Sequence, residues 1–123
     1  MSLILIVEDN EKNLKLVRDV LQVKGYKTLE TGTAEDGIKV AVEQKPDLIL
    51  MDIQLPGMNG IEALKVLRAD PATSAIPVIA VTASVMQQDR TLITEAGFDG
   101  YVSKPISIKE FLDAVNKALA GKA

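Results

Sequence analysis

The sequence of 123 residues has no cysteine, no histidine and no tryptophan, and only two tyrosines and two phenylalanines. Without cysteine there are no disulfides and no thiolate nucleophile; without histidine there is no imidazole base, and the usual zinc sites are excluded with both. Any metal held here must be hard and bound by oxygen. Basic excess is missing too. Lys and Arg number 14 against 17 Asp and Glu, a formal charge of −3, which argues against a nucleic-acid or membrane-surface binder, since both want a basic face. No apolar run approaches the ~20 residues of a membrane span. The opening MSLILIVEDN has an apolar run of only Leu3 to Val7, lacks a basic n-region and ends in two acids, so it reads as a strand and not as a secretory signal. A cytoplasmic protein is expected.

What is present suits a globular domain: 47% hydrophobic and 25% charged residues, in a length that fits one domain over residues 1–123 with no room for an output domain. Three runs are apolar on both alternating faces, LILIV (Leu3 to Val7), LILM (Leu48 to Met51) and VIAV (Val78 to Val81). Strands buried on both faces look like this, which marks a parallel sheet covered by helices. YKTLET (Tyr26 to Thr31) and GYVS (Gly100 to Ser103) are more polar and read as edge strands. Helical spacing fills the intervals: Leu14, Val17 and Leu21 with Gly25 as a stop; Ala34, Ile38, Ala41 and Val42, ending before Pro46; Ile61, Leu64 and Leu67; a less regular segment from Val85 to Ala96 with Gly97 as its stop; and Ile108, Phe111, Leu112, Val115 and Leu119. Five strand–helix alternations predict an α/β fold, a doubly wound parallel sheet with helices on both faces.

In such sheets ligands bind outside the carboxyl ends of the strands, where the strand order reverses. Glu8 and Asp9 follow the first strand, Asp52 the third, Thr82 the fourth, and Lys104 with Pro105 the fifth. If the order is 2-1-3-4-5, Asp9 and Asp52 face each other across the reversal. Two carboxylates ~4 Å apart repel by roughly 4 kcal/mol at an effective dielectric of about 20, and one of them would hold its proton. Three acids and Lys104 sum to −2, which a divalent cation balances; Mg²⁺ suits the oxygen ligands, with Mn²⁺ as a substitute. A carboxylate so placed can act as nucleophile toward a phosphoryl group, giving an aspartyl-phosphate. Lys104 and the Thr82 hydroxyl are then the groups that meet the phosphoryl oxygens.

These residues resemble the receiver domain of two-component response regulators. ILIVEDN carries the acidic pair, DLILMDIQLPGMNG the phosphoacceptor loop, IPVIAVTA the switch threonine, and GFDGYVSKPI an aromatic and the Lys-Pro pair. The resemblance covers essentially the whole chain and implies a flavodoxin-like (βα)5 fold with strand order 2-1-3-4-5. It implies Asp52 as phosphoacceptor, Asp9 as a direct Mg²⁺ ligand, Glu8 as an acid acting through metal-bound water, and Gln54 as the donor of a backbone carbonyl to the metal. Thr82 matches the switch hydroxyl, Lys104 the cation that grips the phosphoryl group, Tyr101 the aromatic that turns inward on activation, and Lys104–Pro105 a cis peptide. Gln54 and Ser84 match positions that flank the attacking water. The segment DNEKNLKLVRDVLQVKGY is also similar to stand-alone cell-cycle receivers of the DivK kind and to receivers fused to hybrid kinases.

The implied partners are a sensor histidine kinase or histidine phosphotransfer protein as donor, and a protein effector or kinase acted on in trans; the protein is expected as a monomer or weak dimer. It would assist its own phosphorylation and dephosphorylation without being a conventional turnover enzyme. Singly, each residue has a plainer reading: Asp9 or Asn10 as a helix cap, Thr82 as a cap, Lys104 as a surface cation, Tyr101 as a half-buried edge residue. A flavin protein would want a phosphate cradle where VEDNEKN puts two acids, and no G-x-x-x-x-G-K-[ST] occurs. An aspartyl-phosphate hydrolase of the haloacid dehalogenase type would carry an acid where Gln54 stands. The alternatives are an interaction module that does no chemistry and a phosphate sink.

Overall fold

The computed structural model describes residues 2–55, 57–82, 93, 95–104 and 106–120. Five strands form one parallel sheet in the order β2-β1-β3-β4-β5: β1 Leu3–Val7, β2 Lys27–Thr31, β3 Leu48–Asp52, β4 Val78–Thr82 and β5 Gly100–Ser103. The expected order, the three central strands and the two polar edge strands are all borne out. β3 and β4 are buried along their whole length, whereas β2 and β5 are only partly so.

Strand alternation sends successive side chains to opposite faces and so divides the core in two. Leu5, Val7, Ile49 and Met51 join Ala34, Ala41, Ala63, Leu64 and Leu67 on one face. Those partners come from α2 (Ala34–Gln44) and α3 (Gly60–Ala69). Ile4, Ile6, Leu48 and Leu50 join Val17, Leu21, Phe111 and Val115 on the other, supplied by α1 (Glu11–Val23) and α4 (Ile108–Ala120). Burying a Leu or Ile side chain of this kind contributes ~1.5–3 kcal/mol. Both faces of the central strands therefore hold the sheet in place, which makes its carboxyl edge a rigid platform.

Helix starts follow from local chemistry. The Asn10 side chain accepts the backbone N–H groups of Lys12 and Asn13 at the start of α1. Thr33 caps α2. Asn59 and Glu62 form a reciprocal capping box on α3, each side chain accepting the other's backbone N–H. α1 stops as expected at a left-handed Gly25, φ 90°. Two boundaries differ from expectation: Asp52 and Thr82 are the last residues of β3 and β4, not the first residues beyond them. The ladder runs one step further because Ile53 N–H donates to the Val81 carbonyl at 3.0 Å and Lys104 N–H to the Thr82 carbonyl at 2.8 Å. The helix expected over residues 85–96 falls mostly outside the described residues, as do Ser84 and the Pro105 side of the Lys104–Pro105 bond. Among the described residues no helix is long and apolar enough to cross a membrane.

Candidate functional site

The reversal of strand order between β1 and β3 brings the expected acids together. Carboxylate oxygens of Glu8, Asp9 and Asp52 lie within 4.8 Å of one another. Glu8 is held one step past β1 by its N–H, which donates to the Thr31 carbonyl at 3.0 Å. Because Glu8 shares strand parity with Ile4 and Ile6, its side chain is nearly buried, 5% exposed, while Asp9 points to solvent. Capping of α1 falls to Asn10, so Asp9 is left for another task.

Lys104 reaches into the group from the end of β5. Its ammonium stands 2.9 Å from Glu8 Oε1 and 3.1 Å from Asp52 Oδ2. Asp52 is 2% exposed, and its Oδ1 accepts the Gln54 backbone N–H at 2.9 Å. That bond fixes the carboxylate's rotation: one oxygen faces the chain that follows it, the other faces Lys104. Thr82, also 2% exposed, ends the strand beside β3, where Asp52 pairs with Val81. Tyr101 is the expected residue that the structure does not bring to the cluster. It sits on β5 opposite Ala80 and is 38% exposed. The Gln54 side chain is exposed.

The electrostatics follow from one cation serving two buried carboxylates. Burial pushes the Glu8 carboxyl up to about 7, a hydrogen bond with Asp52 adds to the rise, and Lys104 offsets only part of it. Burial acts on Asp52 in the same sense, but hydrogen bonds from Glu8, the Gln54 N–H and Lys104 outweigh it, so Asp52 sits below its usual value. Burial likewise opposes the charge on Lys104, and its two carboxylate partners hold it above the ordinary lysine value. Of the two buried acids, the surroundings thus favour a proton on Glu8 and the ionised form of Asp52. The acid driven toward its protonated form is Glu8, not Asp52. Sequence reasoning did not foresee the direct Glu8–Lys104 ion pair, although the shared parity of Ile4, Ile6 and Glu8 signalled that Glu8 turns inward.

With hard oxygen donors only and a summed charge of −2 over Glu8, Asp9, Asp52 and Lys104, the cluster fits a divalent cation of the Mg²⁺ type.

Comparison with known proteins gives the same family from sequence and from fold. Residues 4–116 match the family model described as the response regulator receiver domain. The polar-differentiation response regulator DivK of Brucella anthropi is 46% identical over 116 residues, covering 94% of this chain and 94% of that protein. The receiver domain of a sensor histidine kinase from Pseudomonas aeruginosa, with a magnesium ion coordinated in its active-site cleft, superposes with a TM-score of 0.89 at 31% identity, covering 97% of this chain and 98% of the other. A CheY-like response regulator receiver domain protein from Methanospirillum hungatei superposes with a TM-score of 0.90 at 27% identity, covering 99% and 96%.

Proposed function

The chain belongs to the response regulator receiver domain family, and from that premise we propose that Asp52 accepts a phosphoryl group from a phosphohistidine on a sensor kinase or phosphotransfer protein. The observation that carries this reading is the placement of Asp52: a carboxylate ending a buried strand, ionised, and gripped by Lys104 at 3.1 Å. The chain has no histidine, so the donor imidazole comes from the partner. An Asp52 carboxylate oxygen forms the new P–O bond as the donor's N–P bond breaks, and the departing imidazole takes a proton from its own surroundings.

Glu8, Asp9, Asp52 and the backbone carbonyl of Gln54 would hold Mg²⁺, and the presence of that ion in a relative's cleft supports the assignment. The ion, when bound, neutralises charge on the phosphoryl oxygens. Lys104 holds a further phosphoryl oxygen and leaves its ion pair with Glu8 to do so. Asp9, exposed and not needed as a cap, faces the solvent side from which a cation enters. Gln54, also exposed, flanks the path of the water that later hydrolyses the acyl phosphate.

The resemblance assigns the output to Thr82 and Tyr101. The Thr82 hydroxyl turns toward the phosphoryl group and Tyr101 moves inward from its exposed position, which alters the surface around β5 and α4 that a protein effector reads. The phosphoryl exchange takes place in the cytoplasm, where such kinases present their phosphohistidine.

Incubation with acetyl phosphate, with and without Mg²⁺, tests the reading by intact-protein mass. One Mg²⁺-dependent phosphoryl adduct on the wild type, absent from Asp52→Asn, is expected. A wild type that gains no adduct from acetyl phosphate or from a phosphorylated histidine donor would leave only a module that binds partners without chemistry. For the switch, Thr82→Ala should gain the adduct and yet lose the difference in effector affinity between the two phosphorylation states.

A further inference from the structure

We infer that Gly60 is a positioning residue for the Asp52 carboxylate and the Gln54 backbone, a role that rests on the reading of Asp52 as phosphoacceptor. Gly60 is the first residue of α3, directly after the Asn59 cap. A Cβ built on Gly60 would lie 2.6 Å from the Asp52 carbonyl oxygen, 2.9 Å from Ile53 Cα and 3.1 Å from Met51 Cγ. Real Cβ atoms do not approach other heavy atoms so closely, and the two nearest atoms are backbone, which cannot swing away as a side chain can.

The hydrogen bonds show why this approach matters to the site. Gly60 N–H donates to the Ile53 carbonyl at 3.1 Å, Ile53 N–H donates to Val81 at 3.0 Å, and Gln54 N–H donates to Asp52 Oδ1 at 2.9 Å. The three residues 52–54 are therefore pinned between β4 on one side and the start of α3 on the other. The bond to Gly60 turns the peptide after Ile53, and that peptide both supplies the N–H that orients the Asp52 carboxylate and precedes the Gln54 carbonyl. A side chain at residue 60 has to push α3 away from β3 or tilt this peptide. Either movement displaces the carboxylate or the carbonyl by about half an ångström, on a site where about 1 Å costs ~10²-fold.

Gly37 provides the internal comparison. Its Cβ would meet Val7 Cγ2 at 2.7 Å and Thr31 Oγ1 at 3.2 Å, as tight a set of contacts, but all are side-chain atoms and none belongs to the backbone of residues 52–54. Gly37→Ala should therefore lower stability with little effect on the site, whereas Gly60→Ala should affect both.

The test measures Mg²⁺ affinity by calorimetry and the rate of acetyl phosphate labelling by mass, on wild type, Gly60→Ala and Gly37→Ala, well below each melting temperature. The expected result is an approximately tenfold loss of Mg²⁺ affinity or labelling rate in Gly60→Ala and less than a twofold change in Gly37→Ala. If Gly60→Ala is partly unfolded, the same titrations are run in sucrose, which favours the compact state. Gly60→Ala binding Mg²⁺ and labelling like wild type, or Gly37→Ala losing as much, would overturn the inference while leaving Asp52 as acceptor. A wild type that binds Mg²⁺ but never labels would instead overturn the proposed function; Gly60 would then be judged on Mg²⁺ affinity alone.

Discussion

The two ends of the sheet hold their charges differently, partly exposed at the amino ends and buried at the carboxyl ends. At the amino ends of β4 and β5, Arg68 from the last turn of α3 donates to the carbonyls of Ser74, Ile76 and Gly97 and to Asp99 Oδ2, at 2.6 to 3.3 Å. Asp99 in turn accepts the Val78 N–H at 2.8 Å. One cation meets one anion there, and both also satisfy main-chain groups that the start of a strand leaves over. At the carboxyl ends, three acids face one lysine, a formal charge of −2 that is relieved only in part when burial drives Glu8 toward holding a proton. Balanced charge marks a structural joint. Charge left unbalanced on a rigid platform marks a place for something the chain itself does not supply.

Breaking the unbalanced end at its centre has the largest expected effect. Asp52→Asn should abolish the phosphoryl adduct and leave the fold intact, checked by mass and by circular dichroism. Next in size is Lys104→Met, which removes the only cation that the described residues place in the site. Labelling by acetyl phosphate should slow by ~10²-fold, as when one preorganised donor is lost, while Mg²⁺ affinity rises because a competing positive charge is gone. A mutant slower in labelling and also weaker in Mg²⁺ binding would contradict that division of labour.

The proton favoured on Glu8 predicts a pH dependence with a definite sign. Glu8 has a folded value of about 7 against 4.5 unfolded, so its contribution to metal-free stability is fully present below about pH 4.5 and is lost as the pH rises through about 7. Asp52 is depressed and acts oppositely, its contribution being lost only as the pH falls below its ordinary 3.8. Between about pH 5 and pH 8 the metal-free protein should therefore lose on the order of 3 kcal/mol by denaturant titration, and Glu8→Gln should flatten the profile. Saturating Mg²⁺ should remove the slope by displacing the proton. Smallest is the effect of breaking the balanced end: Arg68→Ala should cost about 1–2 kcal/mol in stability. Mg²⁺ affinity should not change.

Much of this contrast is legible in the residues. LILIV, LILM and VIAV announce strands covered on both faces, and their ends place Glu8, Asp9, Asp52, Thr82 and Lys104 on one edge once the order 2-1-3-4-5 is granted. Gly25 and the Pro46 boundary mark helix ends by chemistry that acts over a few residues. The Arg68–Asp99 joint was not legible, because it links residues 31 positions apart through main-chain carbonyls that any sequence carries. The inward turn and burial of Glu8 depend on how far the β1 ladder extends, which an extra backbone bond to Thr31 decides. The tightness at Gly60 was hidden for a similar reason: nothing in DLILMDIQLPGMNG shows that the backbone of residues 52 and 53 lies against its last glycine.

The most direct test of unequal ends is a Mg²⁺ titration followed by amide chemical shifts in ¹⁵N-labelled protein. The account predicts one saturable set of shifts confined to the carboxyl edge, around Glu8, Asp9, residues 52–54 and Lys104, with Arg68, Val78 and Asp99 unmoved. Shifts that never saturate, or that centre on the amino ends of β4 and β5, would contradict it.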